Sequence, residues 1–306
     1  MKSILLPSAF ACVLIGSGTL SPGAHAQTAS AGTTPVAVST APEPARPIRA
    51  SKIILIGDST TQSGSGWGGR FCSDHVVSFV SCLNLARGGR STSNYRAEGS
   101  WDIALAEMST AAYVETYVLI QFGHNDQPGK PGRSTDLATE FPQNLTRYVA
   151  EVRAKGAIPI LVTPLARRQF VAGKLQKDLE PWAASIRAVA AETGTPLLDL
   201  NADSAAAVQV LGAMGSAQFA QFPPSAEVGG ALLTGTTIAS TTGVTAVTSP
   251  LGTAGVQDNA SAEPMGTAKL SFDYTHLGPV GASFFATMVT QELALAVPAL
   301  QRNLIP

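Results

Sequence analysis

Five short runs of almost purely apolar residues, separated by longer stretches of helical composition, constrain this chain more than any other feature. The first is Lys52-Ile53-Ile54-Leu55-Ile56, which stops at Gly57. Similar runs occupy Val80–Leu85, Tyr117–Phe122, Ile158–Thr163 and Pro196–Leu200. A strand with one wet face alternates polar and apolar residues. These runs do not, so each is expected to be covered on both faces, as in a parallel sheet flanked by helices. Helical composition recurs near 67–78, 100–112, 137–155 and 176–193, and 203–214 reads as a further helix. The alternation predicts an α/β fold built on a doubly wound parallel sheet, with no internal repeat.

Such sheets bind ligands beyond the carboxyl ends of their strands, beside the point where strand order reverses. The informative loops are therefore those after Ile56, Leu85, Phe122 and Thr163. Residues 215–268 are rich in Gly, Ala, Ser and Thr and read as a low-complexity insertion, a surface excursion rather than a lid. Regular structure returns over Gly278–Leu295, where Phe284, Phe285, Met288, Val289 and Leu293 recur at helical spacing and are expected in the core.

The 306 residues carry 20 Lys and Arg against 21 Asp and Glu, without a long run of one sign. That balance argues against a nucleic-acid partner, which would require a basic face. Lys2, the apolar stretch Ile4–Leu20 and the small residues around Ala24-His25-Ala26 read as an export signal over 1–26. Pro7, Ser8, Ser17 and Gly18 interrupt the stretch before it reaches the roughly 20 residues of a membrane span. Once the signal is removed no membrane association is expected, and the protein is assigned to the periplasm or the medium. Residues 27–50 are Ala, Thr, Ser and Pro with few large side chains, a disordered linker that leaves 51–306 as the folded domain. Export also leaves Cys72 and Cys82 in an oxidising compartment, where they are expected to pair; two buried thiols are the alternative.

Two motifs fail on context. Gly64-Ser65-Gly66-Trp67-Gly68-Gly69 fits the G-x-G-x-x-G string of dinucleotide sites, but it starts seven residues past the strand, with no acidic residue about twenty positions on. Gly123 to Lys130 is one residue too long for a phosphate loop, and Pro131 stands where Ser or Thr belongs. His75, His124 and His276 show no metal-binding spacing, so neither a metal nor another cofactor is expected.

What remains are four clusters at the predicted strand ends and before the last helix. Gly57-Asp58-Ser59-Thr60 puts a serine at the end of the first strand, where a helix N-cap is the ordinary role. Gly88-Gly89-Arg90-Ser91 lets backbone N–H groups approach a ligand closely. Gly123-His124-Asn125-Asp126 offers a side-chain amide, although Asn and Asp also serve in plain turns. Together they supply a hydroxyl facing hydrogen-bond donors, the parts of a nucleophile and an oxyanion hole. Asp273-Tyr274-Thr275-His276 supplies a base: a carboxylate three residues before a histidine can reach its Nδ1 and leave Nε2 facing a serine.

These four blocks resemble the SGNH, or GDSL-type, hydrolase superfamily. The resemblance runs in order from Ile53 to Phe285 and implies a three-layer α/β/α fold with a five-stranded, flavodoxin-like parallel sheet. It implies Ser59 as nucleophile, His276 as base, Asp273 as its orienter, and Ser59, Gly89 and Asn125 as oxyanion donors. Finer detail is similar to the rhamnogalacturonan acetylesterase branch, the twelfth carbohydrate-esterase family: Thr60 and Thr61 after the serine, Gly66-Trp67-Gly68, Asn84 to Ser91, Glu98-Gly99-Ser100-Trp101, Ile120 to Asp126 and Asp273 to Leu277. The stretch before Asp273 is longer than the branch pattern.

A secreted serine esterase that deacetylates rhamnogalacturonan, pectin or xylan through an acetyl-serine is the expected function. A lipase or thioesterase acting on longer acyl chains is the first alternative, and an exported binding protein without catalysis or a flavin binder are the others. Arg90 is a candidate substrate contact as well as a turn stabiliser, and Trp67 and Trp101 are candidates for sugar stacking as well as for the core. Asp58, His124 and Asp126 are read as shaping their blocks. The oligomeric state is left open.

Overall fold

Seven strands and eight helices arise in the computed structural model, which describes residues 48–240 and 271–306. The signal segment, nearly all of the linker and positions 241–268 of the expected insertion lie outside the described residues. In chain order the elements are β1 (Ser51–Gly57), α1 (Gly68–Asp74), β2 (Val80–Asn84), α2 (Asn94–Ala97), α3 (Ser100–Met108), β3 (Thr116–Gln121), α4 (Glu140–Ala154) and β4 (Ile158–Val162). After these come β5 (Phe170–Val171), β6 (Lys174–Leu175), α5 (Glu180–Thr193), β7 (Leu197–Leu198), α6 (Leu200–Ser216), α7 (Ala226–Leu233) and α8 (Pro279–Ala296). The described residues fall within one compact unit, Pro47–Pro306.

Five strands form one parallel sheet in the order β2-β1-β3-β4-β7, and the order reverses between β1 and β3. Because successive side chains point to opposite faces, each run feeds two cores. Ile53, Leu55, Tyr117, Leu119, Ile160 and Val162 face one side, where they meet Phe71 of α1, Val208 of α6 and Phe285, Val289 and Leu293 of α8. Ile54, Ile56, Val118, Ile120 and Leu161 face the other, against Trp101 of α3, Phe141, Leu145 and Tyr148 of α4, and Ile186 of α5. Ile53 through Ile56 are wholly buried, each contributing about 1.5–3 kcal/mol of burial. This is the expected three-layer α/β/α architecture. A disulfide joins Cys72 of α1 to Cys82 of β2.

Three expectations need correction. Residues 215–240 are not a loose excursion: α6 runs to Ser216, a 3₁₀ turn covers Ala217–Phe219, and α7 follows, its first turn capped by the Ser225 hydroxyl on the Val228 N–H. Phe219, Val228 and Leu232 are buried in the α8-side core, so a few large side chains among small ones suffice to hold the segment. Phe284 is 40% exposed rather than core, and stacks on Phe219 at 4.8 Å. Ser59 caps no helix, because the chain after β1 makes consecutive turns and α1 begins only at Gly68. Among the described residues no helix is long and apolar enough to cross a membrane.

Candidate active site

The turn after β1 is held from below by Gln121, the last residue of β3. Its wholly buried side-chain oxygen accepts from the Trp67 indole N–H at 3.0 Å and from the hydroxyls of Thr60 and Thr61, while its amide nitrogen donates to the Thr163 carbonyl at 3.0 Å. The glycine-rich stretch closes on top. A Cβ at Gly66 would lie 2.1 Å from the Thr60 carbonyl oxygen, so only glycine permits the backbone approach that lets the Trp67 and Gly68 N–H groups bond Thr60 and Thr61. The Ser65 hydroxyl donates to the Ser59 carbonyl at 2.7 Å. Ser59 is thus fixed at the switch point between β1 and β3 with its hydroxyl partly exposed.

Opposite it stands His276. Its Nε2 lies 2.9 Å from the Ser59 hydroxyl oxygen and its Nδ1 lies 2.7 Å from an oxygen of Asp273. With the ring proton on Nδ1 facing the carboxylate, Nε2 is left to accept the serine proton. The other Asp273 oxygen accepts the backbone N–H groups of Thr275 and His276, each at 2.7 Å. Burial works to raise the Asp273 pKa, but His276 and these two N–H donors overcome it and hold the carboxyl well below the usual range. The Leu277 N–H donates to the Ser65 carbonyl at 2.8 Å, tying the base segment to the nucleophile turn.

Arg168, which the sequence did not single out, clamps that segment. It is 1% exposed. Its guanidinium donates to the carbonyls of Asp273 at 3.0 Å, His276 at 2.9 Å and Thr275 at 3.3 Å, and its own N–H donates to the Tyr274 carbonyl at 2.9 Å. Burial lowers its pKa to about 10, against the pull of Asp273, so it stays charged at neutral pH.

The donor side is built by the loops after β2 and β3. Gly89 has φ +77°, a left-handed conformation that turns the chain at this point. The Asn125 amide donates one N–H to the Arg90 carbonyl at 3.0 Å, which leaves its second N–H available. Asp126 binds the two loops together, accepting from the Thr92 N–H at 3.0 Å, the Thr92 hydroxyl at 2.6 Å, the Thr135 hydroxyl at 3.0 Å and the Gly123 N–H at 3.1 Å. Burial nevertheless pushes its pKa up to about 6. Beneath Ser59 and Asn125, Asp58 faces His124 at 3.4 Å, both buried. Burial lowers the His124 pKa against the pull of Asp58, and Asp58 is held below the usual range because His124 and Thr60 outweigh its burial.

Three candidate substrate contacts are not available to substrate. Arg90 is 1% exposed and its guanidinium is spent on Glu98, at 2.8 and 2.9 Å, and on the Gly88 carbonyl at 2.7 Å. It stiffens the turn instead. Trp67 is wholly buried with its N–H on Gln121, and Trp101 is 2% exposed against Tyr148, so both pack the core. His75 is distant from this chemistry, bonded to the Ile305 carbonyl. Among the described residues no group of three or more His, Cys, Asp or Glu side chains is arranged to hold a metal ion.

A hydroxyl, a base with its orienting carboxylate, and amide donors on neighbouring strand ends can carry out acyl transfer through a tetrahedral intermediate. Comparison with known proteins agrees. Residues 55–217 match the GDSL-like lipase/acylhydrolase family, a stretch holding Ser59, Gly89 and Asn125 and ending before Asp273. The chain is similar to the probable rhamnogalacturonan acetylesterase YesY of Bacillus subtilis (strain 168), 34% identical over 158 residues that cover 49% of this chain and 70% of the relative. It is also similar to the rhamnogalacturonan acetylesterase RhgT of the same strain, 37% identical over 160 residues covering 49% of this chain and 64% of that one. Among solved structures, YxiM of Bacillus subtilis superposes with a TM-score of 0.55 at 23% identity, over 82% of this chain and 58% of that one, a likeness of fold.

Proposed function

We infer, since the chain belongs to the GDSL-like lipase/acylhydrolase family and is a carboxylic ester hydrolase, that it removes O-acetyl groups from a plant cell-wall polysaccharide of the rhamnogalacturonan type. The observation that carries this reading is the relay from Asp273 through His276 to Ser59, with contacts of 2.7 and 2.9 Å, at the sheet edge where a ligand reaches an α/β fold. Identities of 34% to a probable and 37% to a named rhamnogalacturonan acetylesterase support acetyl as the acyl group and rhamnogalacturonan as the polymer.

In this mechanism Ser59 Oγ attacks the acetyl carbonyl carbon as its proton passes to His276 Nε2. The oxyanion is held by the Ser59 and Gly89 N–H groups and the free N–H of Asn125. Collapse of the intermediate expels the sugar oxygen, which takes the proton from His276, and acetyl-Ser59 remains. A water deprotonated by His276 then attacks the acyl carbon, and a second collapse releases acetate and restores the serine. Asp273 stabilises the imidazolium at both steps. Export belongs to the same reading, supported by the sequence of residues 1–26 and by the Cys72–Cys82 disulfide, a bond suited to an oxidising compartment.

The test is hydrolysis of acetylated rhamnogalacturonan and acetylated xylan, read as acetate, and of p-nitrophenyl acetate and p-nitrophenyl octanoate, read as p-nitrophenol, by wild type and Ser59→Ala. Wild-type cleavage of acetylated rhamnogalacturonan and p-nitrophenyl acetate, but not of xylan or the octanoyl ester, all lost in Ser59→Ala, is the expected result. A preference for xylan or for the octanoyl ester would replace the substrate assignment, and turnover by Ser59→Ala would remove the nucleophile.

A further inference from the structure

We propose that the Arg133 guanidinium is a carboxylate-binding site beside the Gly88-Gly89 turn, positioned to take a uronate carboxylate of the bound polysaccharide; this deepens the rhamnogalacturonan reading and rests on it. The placement comes first. Arg133 lies on the loop between β3 and α4, and a Cβ built on Gly89 would come within 3.5 Å of its Nη1. The cation therefore sits over the residue whose N–H is assigned to the oxyanion.

Its lack of a partner comes second. Arg90, Arg96, Arg147, Arg167 and Arg187 each face a carboxylate: Glu98, Glu151, Glu151 again, Asp178 and Asp199. Arg133 faces none among the described residues, and its Nε is buried without an acceptor. The rest of the half-buried guanidinium stays open to a ligand, and an anion is what satisfies a charged donor left without an acceptor.

The loop also fixes the backbone that carries Arg133. The Arg133 N–H donates to the Lys130 carbonyl at 3.0 Å, and the Ser134 hydroxyl accepts the Lys130 N–H at 2.9 Å and donates to the Gln127 carbonyl at 2.8 Å. Thr135 then fastens the loop to Asp126, through its N–H on the carbonyl and its hydroxyl on the carboxylate, each at 3.0 Å. The base of Arg133 is thereby fixed to the block that carries Asn125, and less ordering entropy remains to be lost on binding. The planar fork of arginine matches a carboxylate with two parallel hydrogen bonds. A galacturonate unit carries such a carboxylate and a xylose unit does not, so Arg133 would favour acidic over neutral acetylated polymers.

The experiment separates this site from the substrate assignment. Hydrolysis of p-nitrophenyl acetate is inhibited with trigalacturonate or with neutral xylotriose, in wild type, Arg133→Gln and Arg133→Lys, at low and high salt. The expected result is competitive inhibition of wild type by trigalacturonate that weakens with salt, a Ki about tenfold higher in Arg133→Gln, partial recovery in Arg133→Lys, and no matching rise for xylotriose. An unchanged trigalacturonate Ki in Arg133→Gln overturns the proposal. So does an equal rise for both sugars, which would signal a general disturbance of the site. Failure of the rhamnogalacturonan reading is a different result: wild type that releases no acetate from that polymer, whatever trigalacturonate does.

Discussion

Replacing Arg168 by methionine tests how the base is held. Methionine keeps most of the apolar stem and removes every side-chain donor, so the carbonyls of Asp273, Thr275 and His276 lose their partner together. Hydrogen bonds to a charged group contribute about 1.5–3 kcal/mol each, but the three share one guanidinium and cannot be summed. A loss of about 3–5 kcal/mol is expected, with Tm lower by about 10 °C for a domain of this size. The catalytic effect is separate from the thermal one. His276 needs its Nε2 at the 2.9 Å contact with Ser59, and a displacement near 1 Å is enough to cost about 10²-fold in rate. At a temperature where the variant is folded, kcat on p-nitrophenyl acetate should fall about 10²-fold while KM changes little. Arg187→Met is the control, because that residue pairs with Glu180 and Asp199 and leaves the base segment untouched. A folded Arg168→Met variant with wild-type kcat would refute the clamp.

Asn125→Ala should lower kcat about 10²- to 10³-fold with little change in KM, and Asp273→Asn about 10⁴-fold, both read by steady-state kinetics. Glu292 on α8 has both carboxylate oxygens buried without a hydrogen-bond partner, and burial, with Asp203 and Asp199 nearby, pushes its pKa up to about 8. Its folded pKa exceeds its unfolded one, so stability falls as pH rises from about 4.5 to about 8 and stays lost above that. Glu292→Gln should therefore gain about 2–4 kcal/mol over wild type at pH 9 and nothing at pH 4, measured by denaturant unfolding; an equal gain at both would exclude the ionisation. Cys72→Ser opens a loop closed across a sequence separation of 10 and should cost about 2.5–3 kcal/mol, the same loss that reductant produces in wild type.

Where a residue's neighbours are close in sequence or set by strand periodicity, the sequence disclosed its place. The five strand runs had to be apolar on both faces. Ser59 had to follow the first of them, and Asp273 had to precede His276 by a spacing that lets one turn join them. Gln121 and Arg168 escaped notice because their partners lie far along the chain, up to 108 residues away for Arg168 and His276, and those of Arg168 are backbone carbonyls that carry no sequence mark. Arg90 misled for the converse reason: a charged residue next to a glycine pair suggests a ligand, but Glu98 eight residues on had already claimed it. The hairpin of β5 and β6 has two residues per strand, too few to show a period. Residues 215–240 misled by composition, since Phe219, Val228 and Leu232 bury enough area to order many small neighbours.

Ser59 and His276 are 217 residues apart, and the base segment is seated by the Leu277 N–H on Ser65 just before α8 begins. On the proposed mechanism, a chain still emerging from the ribosome carries Ser59 without its proton acceptor and is expected to be inactive until the last helix has docked. Regain of turnover during refolding is then expected to time the meeting of the turn after β1 with the segment before α8, and a chain cut short before His276 to be inert however well its sheet had formed.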